Sequence, residues 1–264
     1  MPTVTTPQTT IHYQFDVAPG KPVLVLSNSL ATNLSMWSHQ VPEFSKHFSL
    51  LRYDTRGHGQ SAVPKGPYTI EQLARDVLAL LNELKIEKAH FCGLSMGGMV
   101  GQWLGAHAPE RLLSLVLSDS AAEISAPDFW NPLIATARTR GMDALARDFI
   151  KGWFTESFFA RRPDETERVL KMILATPAEG YASCCEAIRD MDQRATAKTI
   201  TAPTLVAYGR NDMATPPELS KFLLAEIKGA EELVFDSAHV SNIEDAEAFT
   251  RGVLEFLLRQ DPKA

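Results

Sequence analysis

Hydrophobic and polar positions follow two alternating patterns along most of the chain. Short apolar runs rich in branched residues, typical of strands buried on both faces, alternate with longer segments that place apolar residues at helical spacing. The strand-like runs cover residues 22–27, 48–53, 89–92, 112–117, 204–208 and 232–235. The helical segments include residues 70–84, 96–108 and 246–258. This alternation predicts an α/β fold with a mostly parallel central sheet flanked by helices.

The alternation stops between residues 121 and 202, where helical spacing continues but no strand pattern occurs. The strand pattern resumes after Pro203. We therefore predict a core made of residues 1–120 and 203–264, with residues 121–202 inserted as a helical cap. The inserted segment contains many arginines and these aromatic residues: Phe129, Trp130, Trp153, Phe154, Phe158 and Phe159.

The most informative motif is Gly93-Leu94-Ser95-Met96-Gly97, which lies between a strand-like run and a helical segment. The pattern G-x-S-x-G at such a junction is typical of a nucleophile elbow, a sharp turn that exposes a serine hydroxyl. Small residues on both sides of the serine leave room for a strained backbone, and the following helix N-terminus offers unpaired N–H groups. A glycine-rich turn without chemistry is the alternative, but the flanking strand and helix favour Ser95 as a nucleophile.

A serine hydroxyl needs a base to accept its proton and an acid to orient that base. In this architecture the acid and then the base follow the serine in the chain, at the carboxyl ends of strands. Asp212 follows the fifth strand-like run and His239 follows the sixth, so they are the predicted acid and base. Asp119, after the fourth run, is a competing acid, whereas Asp236 lies too close to His239 in sequence to be favoured.

Several other histidines are less suited to act as the base. They precede Ser95 or lie within strand and helix patterns, and we interpret most of them as surface or structural residues: His39, His47, His58, His90 and His107. His58 lies in the turn DTRGHGQS, residues 54–61, where we expect it to brace the loop.

Attack by a serine on an ester carbonyl places negative charge on the carbonyl oxygen, which two N–H groups should meet. One N–H belongs to the residue after the nucleophile, here Met96, and the other to a loop after an early strand. The stretch Ser27-Asn28-Ser29, followed by Leu30, lies at that place in the chain. We therefore predict the backbone N–H groups of Leu30 and Met96 as the two donors, while the preceding polar side chains shape the loop.

Composition narrows the range of partners. The formal net charge is −6 and no cluster of lysine or arginine occurs, which argues against nucleic acid or an anionic membrane surface as a partner. No apolar run reaches the roughly 20 residues of a membrane helix, and the first ten residues lack the pattern of a signal peptide.

The cysteines, Cys92, Cys184 and Cys185, form a poor disulfide framework and favour a reducing, cytoplasmic location. No spacing typical of metal ligands is found.

The chain resembles the α/β-hydrolase superfamily, and within it the 3-oxoadipate enol-lactonases, in five stretches: SNSLA, MWSHQVPEF, YDTRGHGQS, GLSMGGMVGQWLG and AHVSNIEDAEAF. The resemblance covers nearly the whole chain. Asn28 and Ser29 occupy the place where many members of the superfamily carry His-Gly. One departure is Ala31, where the resemblance leads us to expect glycine, and this change affects the backbone freedom of the loop.

The resemblance implies hydrolysis of 3-oxoadipate enol-lactone to 3-oxoadipate, in the β-ketoadipate route of aromatic catabolism, without a cofactor. Because this substrate carries a free carboxylate, the cap should offer a donor, for which Arg138, Arg189 and Trp130 are candidates. The alternative for each arginine is a solvated helix face. Other activities on the same fold stay open: a general carboxylesterase, a cofactor-free perhydrolase, or a receptor that binds a small ligand without turnover.

Overall fold

The computed structural model describes residues 2–6, 8–124 and 126–260. Its strands are β1 (Thr3–Thr5), β2 (Thr10–Asp16), β3 (Val23–Ser27), β4 (Ser49–Tyr53), β5 (Ala89–Leu94), β6 (Leu112–Ser118), β7 (Thr204–Gly209) and β8 (Glu231–Phe235). Its α-helices are α1 (Val41–Phe44), α2 (Ile70–Glu83), α3 (Met96–His107), α4 (Pro127–Arg140), α5 (Ala146–Trp153), α6 (Glu156–Arg161), α7 (Pro163–Ala175), α8 (Ala178–Asp190), α9 (Arg194–Ala197), α10 (Pro217–Glu226), α11 (Ser241–Glu244) and α12 (Ala246–Arg259).

Within the described residues, eight strands form one sheet in the order β1-β2-β4-β3-β5-β6-β7-β8. From β4 to β8 all neighbouring strands pair in parallel, while β2 and β1 extend one edge in antiparallel pairing. Every position of β4, β5 and β7 is buried, which explains why these strands have nearly continuous apolar sequences. The predicted α/β fold class is confirmed.

The parallel strands end at a common edge of the sheet, which brings distant parts of the chain together. Five polar residues lie within a few positions of the ends of β3, β5, β6, β7 and β8: Ser29, Ser95, Asp119, Asp212 and His239. In open α/β sheets, ligands bind outside this carboxyl edge. The topology therefore places these five polar residues where a ligand would bind.

Helix α2 illustrates how local sequence sets the helix boundaries. The Thr69 hydroxyl accepts the N–H of Gln72, and the Gln72 side chain accepts the N–H of Thr69, so the first turn begins with a capping box. Leu73, Val77 and Leu80 follow at helical spacing and are buried, and the helix packs against α3. Helix α3 in turn packs on β5 and β6.

Several elements of the fold lie outside the sequence prediction, among them β1, β2 and α10. The hairpin of β1 and β2 consists of one three-residue strand and one strand of mixed polar and apolar residues, and β2 is held by pairing with β4. Helix α10 buries Ser220 and Leu223 among its ten residues, so it lacks a broad apolar stripe. All three elements depend on their neighbours in the fold more than on a strong local pattern.

Between β6 and β7, the part of the chain that the structure describes forms helices α4 to α9 and contains no strand beyond an isolated bridge between Glu123 and Asp192. Helices α4 and α8 pack against each other, and α5 packs against α7. Helix α8 also approaches the loop after β4 very closely, because a Cβ on Gly180 would lie 1.9 Å from the carbonyl oxygen of Gly57. The contact joins the inserted helices to the sheet.

This contact predicts that Gly180→Ala destabilises the protein by about 1–3 kcal/mol, because the added methyl group overpacks a backbone contact. The matched control is Gly152→Ala in α5, where a Cβ would meet no atom within 4 Å. Alanine is the better helix former by about 1 kcal/mol, so the control should be neutral or stabilised. Chemical denaturation of both variants measures the difference, and equal stabilities would contradict the close packing of α8.

Candidate active site

Ser95 stands at the junction where strand β5 ends and helix α3 begins. Its backbone has φ +55° and ψ −116°, a positive-φ conformation outside the left-handed helical region that costs a non-glycine residue roughly 1–3 kcal/mol. Two hydrogen bonds hold this turn: the Ser95 N–H donates to Ser118 O over 2.8 Å, and Ser120 Oγ donates to Ser95 O over 2.9 Å. The strained turn is therefore fixed from strand β6 and the loop that follows it.

The glycine two residues after Ser95 is required by close packing. A Cβ on Gly97 would lie 2.3 Å from the carbonyl oxygen of Ser27 at the end of β3. The first turn of α3 consequently fits against β3 only when position 97 carries no side chain. This packing is the physical reason for the second glycine of the sequence motif.

Three residues from distant parts of the sequence form a hydrogen-bonded chain at the carboxyl edge. His239 Nε2 lies 2.9 Å from Ser95 Oγ, and His239 Nδ1 lies 2.9 Å from Asp212 Oδ2. All three residues are buried. Asp212 is held in turn by the N–H groups of Ala214 and Thr215 and by the Thr215 hydroxyl. The structure thus brings together the three residues that the sequence predicts as nucleophile, base and acid.

Electrostatics stabilises a charged Asp212 and a proton on His239. Burial raises the pKa of Asp212, but the charge of His239 and hydrogen bonds from His239 and Thr215 outweigh it, so the pKa lies below its ordinary value. Burial lowers the pKa of His239, but the charge and hydrogen bond of Asp212 and the charge of Asp119 raise it overall. Asp212 therefore stays ionised and favours the imidazolium that forms when His239 accepts a proton.

The loop after β3 is held by two of its polar side chains. Ser27 Oγ lies 2.6 Å from the Tyr53 hydroxyl oxygen. Asn28 Nδ2 donates to Tyr53 O over 2.7 Å, and Asn28 Oδ1 accepts the indole N–H of Trp37 over 2.9 Å. Ser29 differs, because its buried hydroxyl makes no hydrogen bond to any residue that the structure describes.

Ala31, in the same loop, has φ +59°, so alanine occupies a left-handed position that favours glycine. Its N–H donates to His58 Nε2 over 2.9 Å, while His58 Nδ1 lies 3.3 Å from Arg56 O. Burial lowers the pKa of His58 to about 4, so the ring is neutral, with Nε2 as acceptor and Nδ1 as donor. These contacts agree with the expectation that His58 braces the loop.

The two N–H groups predicted to meet an oxyanion make no hydrogen bond within the described residues. Leu30 lines the same cavity as Ser95 and His239. Met96 is the first residue of α3, where backbone N–H groups have no partner within the helix. Among the described residues, neither the Leu30 N–H nor the Met96 N–H has a hydrogen-bond acceptor. The carboxyl edge therefore combines a buried serine hydroxyl with unpaired backbone donors.

Ser95 and His239 border a cavity of about 370 Å³. The loops of the carboxyl edge and the inserted helices line it: Ser29, Leu30, Ala31, Ser95, Met99, Ile124, Phe129, Trp130, Leu133, Leu145, Asp148, Phe149, Gly152, Trp153, Tyr181, Ile188, Met213, Ala214, Thr215 and His239. Most of this lining is apolar, and no lysine or arginine is among the described residues that form it. Phe129 and Met213 are exposed and mark the open side of the cavity.

Two of the three residues predicted to bind a substrate carboxylate lie outside this cavity. Arg138 in α4 forms hydrogen bonds of 2.8–3.0 Å with Glu179 and Glu186 of α8, two to each carboxylate. Arg189 forms two hydrogen bonds of 2.7 Å with Asp190. The expectation for both arginines is therefore corrected, because their guanidinium groups pair with carboxylates on the outer surface of the helices.

Trp130, the third of these residues, does line the cavity and is buried. Its indole N–H, however, donates to Ile124 O over 2.9 Å, so this donor is already engaged. The ring also packs edge to face against Phe129. Trp130 thus contributes an apolar wall, and the expectation that it donates to the substrate is corrected as well.

Asp119, the competing acid, has a different set of partners. Its Oδ1 accepts the Gly209 N–H over 2.8 Å and the Ser241 hydroxyl over 2.9 Å, and its Oδ2 accepts the Ser118 hydroxyl over 2.7 Å. Burial, followed by the charge of Asp212, raises the pKa of Asp119 to about 7. The hydrogen bonds of Asp119 therefore connect the end of β7 to α11. Asp212 follows β7 in the chain, and His239 precedes α11.

Residues 2–6, 8–124 and 126–260 contain no group of three or more His, Cys, Asp or Glu placed to hold a metal ion. None of the helices described combines the length and apolarity that crossing a membrane requires. Cys92, Cys184 and Cys185 are buried free thiols.

A mostly parallel sheet whose carboxyl edge carries a serine on a strand–helix turn, followed in the chain by aspartate and histidine, defines the class of α/β hydrolases. The family model of the alpha/beta hydrolase fold matches residues 22–246. The chain belongs to this family.

Within the family, the chain is similar to enol-lactonases over nearly its whole length. It is 39% identical over 251 residues to 3-oxoadipate enol-lactonase 2 of Acinetobacter baylyi, covering 95% of this chain and 94% of that one. It is 36% identical over 240 residues to 3-oxoadipate enol-lactonase 1 of the same organism, covering 91% and 90%. The crystal structure of the enol-lactonase from Burkholderia xenovorans LB400 is 47% identical, with a TM-score of 0.96 over 97% of this chain and 100% of that one. The resemblance seen in the sequence is confirmed.

The contacts of Asp119 predict that Asp119→Asn changes the pH dependence of activity. Asparagine keeps the shape and can still accept from Gly209, but it lacks the charge that helps to raise the pKa of His239. A base must be neutral to accept a proton, so kcat/KM falls on the acid side as His239 becomes protonated. Asp119 carries this charge only above its own pKa of about 7, so the acid limb of the kcat/KM profile should move to lower pH by less than about one unit. The shift is measured from kcat/KM for an uncharged ester between about pH 5 and pH 9.

The matched control is Ser241→Ala, which removes one hydrogen bond to Asp119 but leaves its charge in place. This variant should lose part of kcat without moving the acid limb. If the limb in Asp119→Asn coincides with that of the unmodified protein, Asp119 acts on structure alone.

Proposed function

We propose that the protein is a serine hydrolase that opens the lactone ring of 3-oxoadipate enol-lactone to give 3-oxoadipate. The observation that carries the reaction class is the chain of hydrogen bonds from Ser95 through His239 to Asp212 beside a largely apolar cavity. The substrate follows from the similarity to two enol-lactonases of Acinetobacter baylyi and to the Burkholderia xenovorans enzyme.

In the first half of the reaction, Ser95 Oγ attacks the lactone carbonyl carbon while its proton passes to His239 Nε2. The imidazolium that forms is stabilised by Asp212, which remains ionised. The carbonyl oxygen becomes an oxyanion and accepts hydrogen bonds from the N–H groups of Leu30 and Met96. These donors are fixed by the backbone before the substrate arrives, so little reorganisation is needed as the charge develops.

In the second half, the tetrahedral intermediate collapses and the ring C–O bond breaks. His239 returns its proton to the departing enol oxygen, and the released enol, still attached through the acyl chain, tautomerises to a ketone. A water molecule then gives one proton to His239 and attacks the acyl carbon. Collapse of this second intermediate breaks the bond to Ser95 Oγ, which takes the proton from His239. The new carboxylic acid is released and loses its remaining proton to solvent.

The proposal includes a role for the inserted segment and a cellular location. We propose that residues 121–202 act as a cap over the carboxyl edge, which is supported by the cavity walls that Trp130, Phe149 and Trp153 supply from this segment. Apolar cavity walls limit the access of bulk water to the acyl-enzyme and strengthen hydrogen bonds to the oxyanion. A cytoplasmic location is supported by the three free cysteines, since thiols stay reduced in that compartment.

A second candidate is a carboxylesterase that acts on uncharged esters. It is favoured by one observation, namely that no lysine or arginine is present among the described residues lining the cavity, although the enol-lactone carries a carboxylate. Esterase activity also occurs on closely similar folds, as in the thermophilic esterase from Thermogutta terrifontis, which is 29% identical with a TM-score of 0.91.

A turnover assay separates these candidates. The substrates are enzymatically generated 3-oxoadipate enol-lactone, p-nitrophenyl acetate, and acetate with hydrogen peroxide for perhydrolase activity. We expect kcat/KM to be highest for the enol-lactone, by at least about 100-fold, because both its reacting carbonyl and its free carboxylate are bound. A higher kcat/KM for p-nitrophenyl acetate would favour the carboxylesterase instead.

Ser95→Ala tests the nucleophile directly. We expect kcat for the enol-lactone to fall by at least about 10⁴-fold, because no hydroxyl is left to form the acyl-enzyme. Alanine fits the same turn, so the melting temperature should stay close to that of the unmodified protein, and this serves as the control for folding. Lactone hydrolysis at a near-normal rate by this variant would contradict the assignment of Ser95.

A further inference from the structure

The loop that carries the predicted base is held by the inserted segment through the main chain. The carbonyl oxygen of Trp153, the last residue of α5, accepts the N–H of His239 over 3.1 Å and the N–H of Val240 over 3.4 Å. The 2.9 Å distance from His239 Nε2 to Ser95 Oγ is therefore reached from a backbone that the inserted segment helps to hold.

The carboxylate of Glu244 in α11 joins the same two parts of the chain a second time. Its Oε2 accepts the N–H of Ala238 over 2.9 Å. Its two oxygens lie 3.2 Å and 3.3 Å from the backbone nitrogen of Thr155, and its Oε1 also accepts the Thr155 hydroxyl. Hydrogen bonds to an ionised acceptor are stronger than those to a neutral one. Because Ala238 directly precedes His239 and Thr155 closely follows Trp153, the Glu244 carboxylate reinforces the main-chain contact.

The same stretch of the inserted segment forms a wall of the cavity. Trp153 is buried and lines the cavity, and its ring centroid lies 5.9 Å from that of His239, with 50° between the ring planes. Phe149, one helical turn earlier in α5, lines the cavity as well. Helix α5 therefore meets a ligand with its side chains and the loop of the base with its last carbonyl group.

We propose that Glu244 is a positioning residue that acts through His239. Glu244 is absent from the described residues that line the cavity, so it acts at a distance from the substrate. Its carboxylate holds the turn after α5 against the residue before His239, which keeps His239 Nε2 within hydrogen-bond distance of Ser95 Oγ. Misplacing a reacting group by about 1 Å can lower a rate by about 100-fold, so loss of this bridge should act on the chemical step. The inference rests on the proposed roles of Ser95 and His239, whichever ester or lactone is the substrate.

Glu244→Gln tests the proposal, because the amide keeps the size of the side chain but has one acceptor oxygen where the carboxylate has two. The probe is a fluorophosphonate: Ser95 Oγ forms a bond to phosphorus, fluoride leaves, and the hydroxyl proton passes to His239. We expect the labelling rate of Ser95 to fall by about 10-fold. The kcat for the enol-lactone should fall by a similar factor with KM nearly unchanged.

Two substitutions at Thr155 separate this role from a general effect on folding. Thr155→Ser keeps the hydroxyl that donates to Glu244, so Ser95 should be labelled at the rate of the unmodified protein. Thr155→Val removes that hydroxyl and should slow the labelling. All variants are compared at a temperature at which circular dichroism shows each of them folded.

The matched control is Glu247→Gln, because Glu247 is an exposed carboxylate of α12 that pairs with Arg251. This variant should leave labelling and turnover unchanged. An unchanged labelling rate in Glu244→Gln, or an effect confined to KM, overturns the inference while the proposed function stands. If the unmodified protein fails to hydrolyse the enol-lactone but Glu244→Gln still slows labelling, the proposed substrate is wrong and the inference about Glu244 is supported.

Discussion

The backbone conformation of Ser95 sets the geometry of the carboxyl edge. Its positive φ turns the chain abruptly from β5 into α3, and hydrogen bonds with Ser118 and Ser120 offset the strain. Gly97 allows the first turn of α3 to approach the end of β3. As a result, the Ser95 hydroxyl, the first N–H groups of α3 and the loop after β3 meet at one edge, within hydrogen-bond distance of His239.

Around this turn, two buried carboxylates influence one imidazole, and their surroundings move their pKa values in opposite directions. The charge of His239 and the hydrogen bonds to Asp212 hold the pKa of Asp212 below its ordinary value. Burial and the neighbouring charge of Asp212 raise the pKa of Asp119 to about 7. Asp212 therefore supplies a permanent counter-charge to His239, while Asp119 changes charge near neutral pH and joins two loops. This difference in environment distinguishes the orienting acid from its competitor.

How much of the site the sequence predicts depends on which interactions are local. Ser95, Asp212 and His239 each lie beside a strand end, and parallel strands share one edge, so strand pattern and chain order are sufficient to bring them together. Arg138 is mistaken for a substrate contact because its partners lie on another helix, and only the packing of α4 on α8 reveals them. The edge hairpin likewise depends on pairing with β4.

Among the described residues, the cavity lining contains no lysine or arginine, and this suits the chemistry at His239. The pKa of His239, lowered by burial, is raised overall because Asp212 and Asp119 stabilise the imidazolium. A lysine or arginine in the same cavity would repel the imidazolium, lower its pKa and offer Asp212 a competing partner. A described lining without these cations avoids both effects. Asp212 and Asp119 then act on His239 without a competing positive charge from the cavity wall, so the pKa of His239 stays raised and proton transfer from Ser95 is favoured.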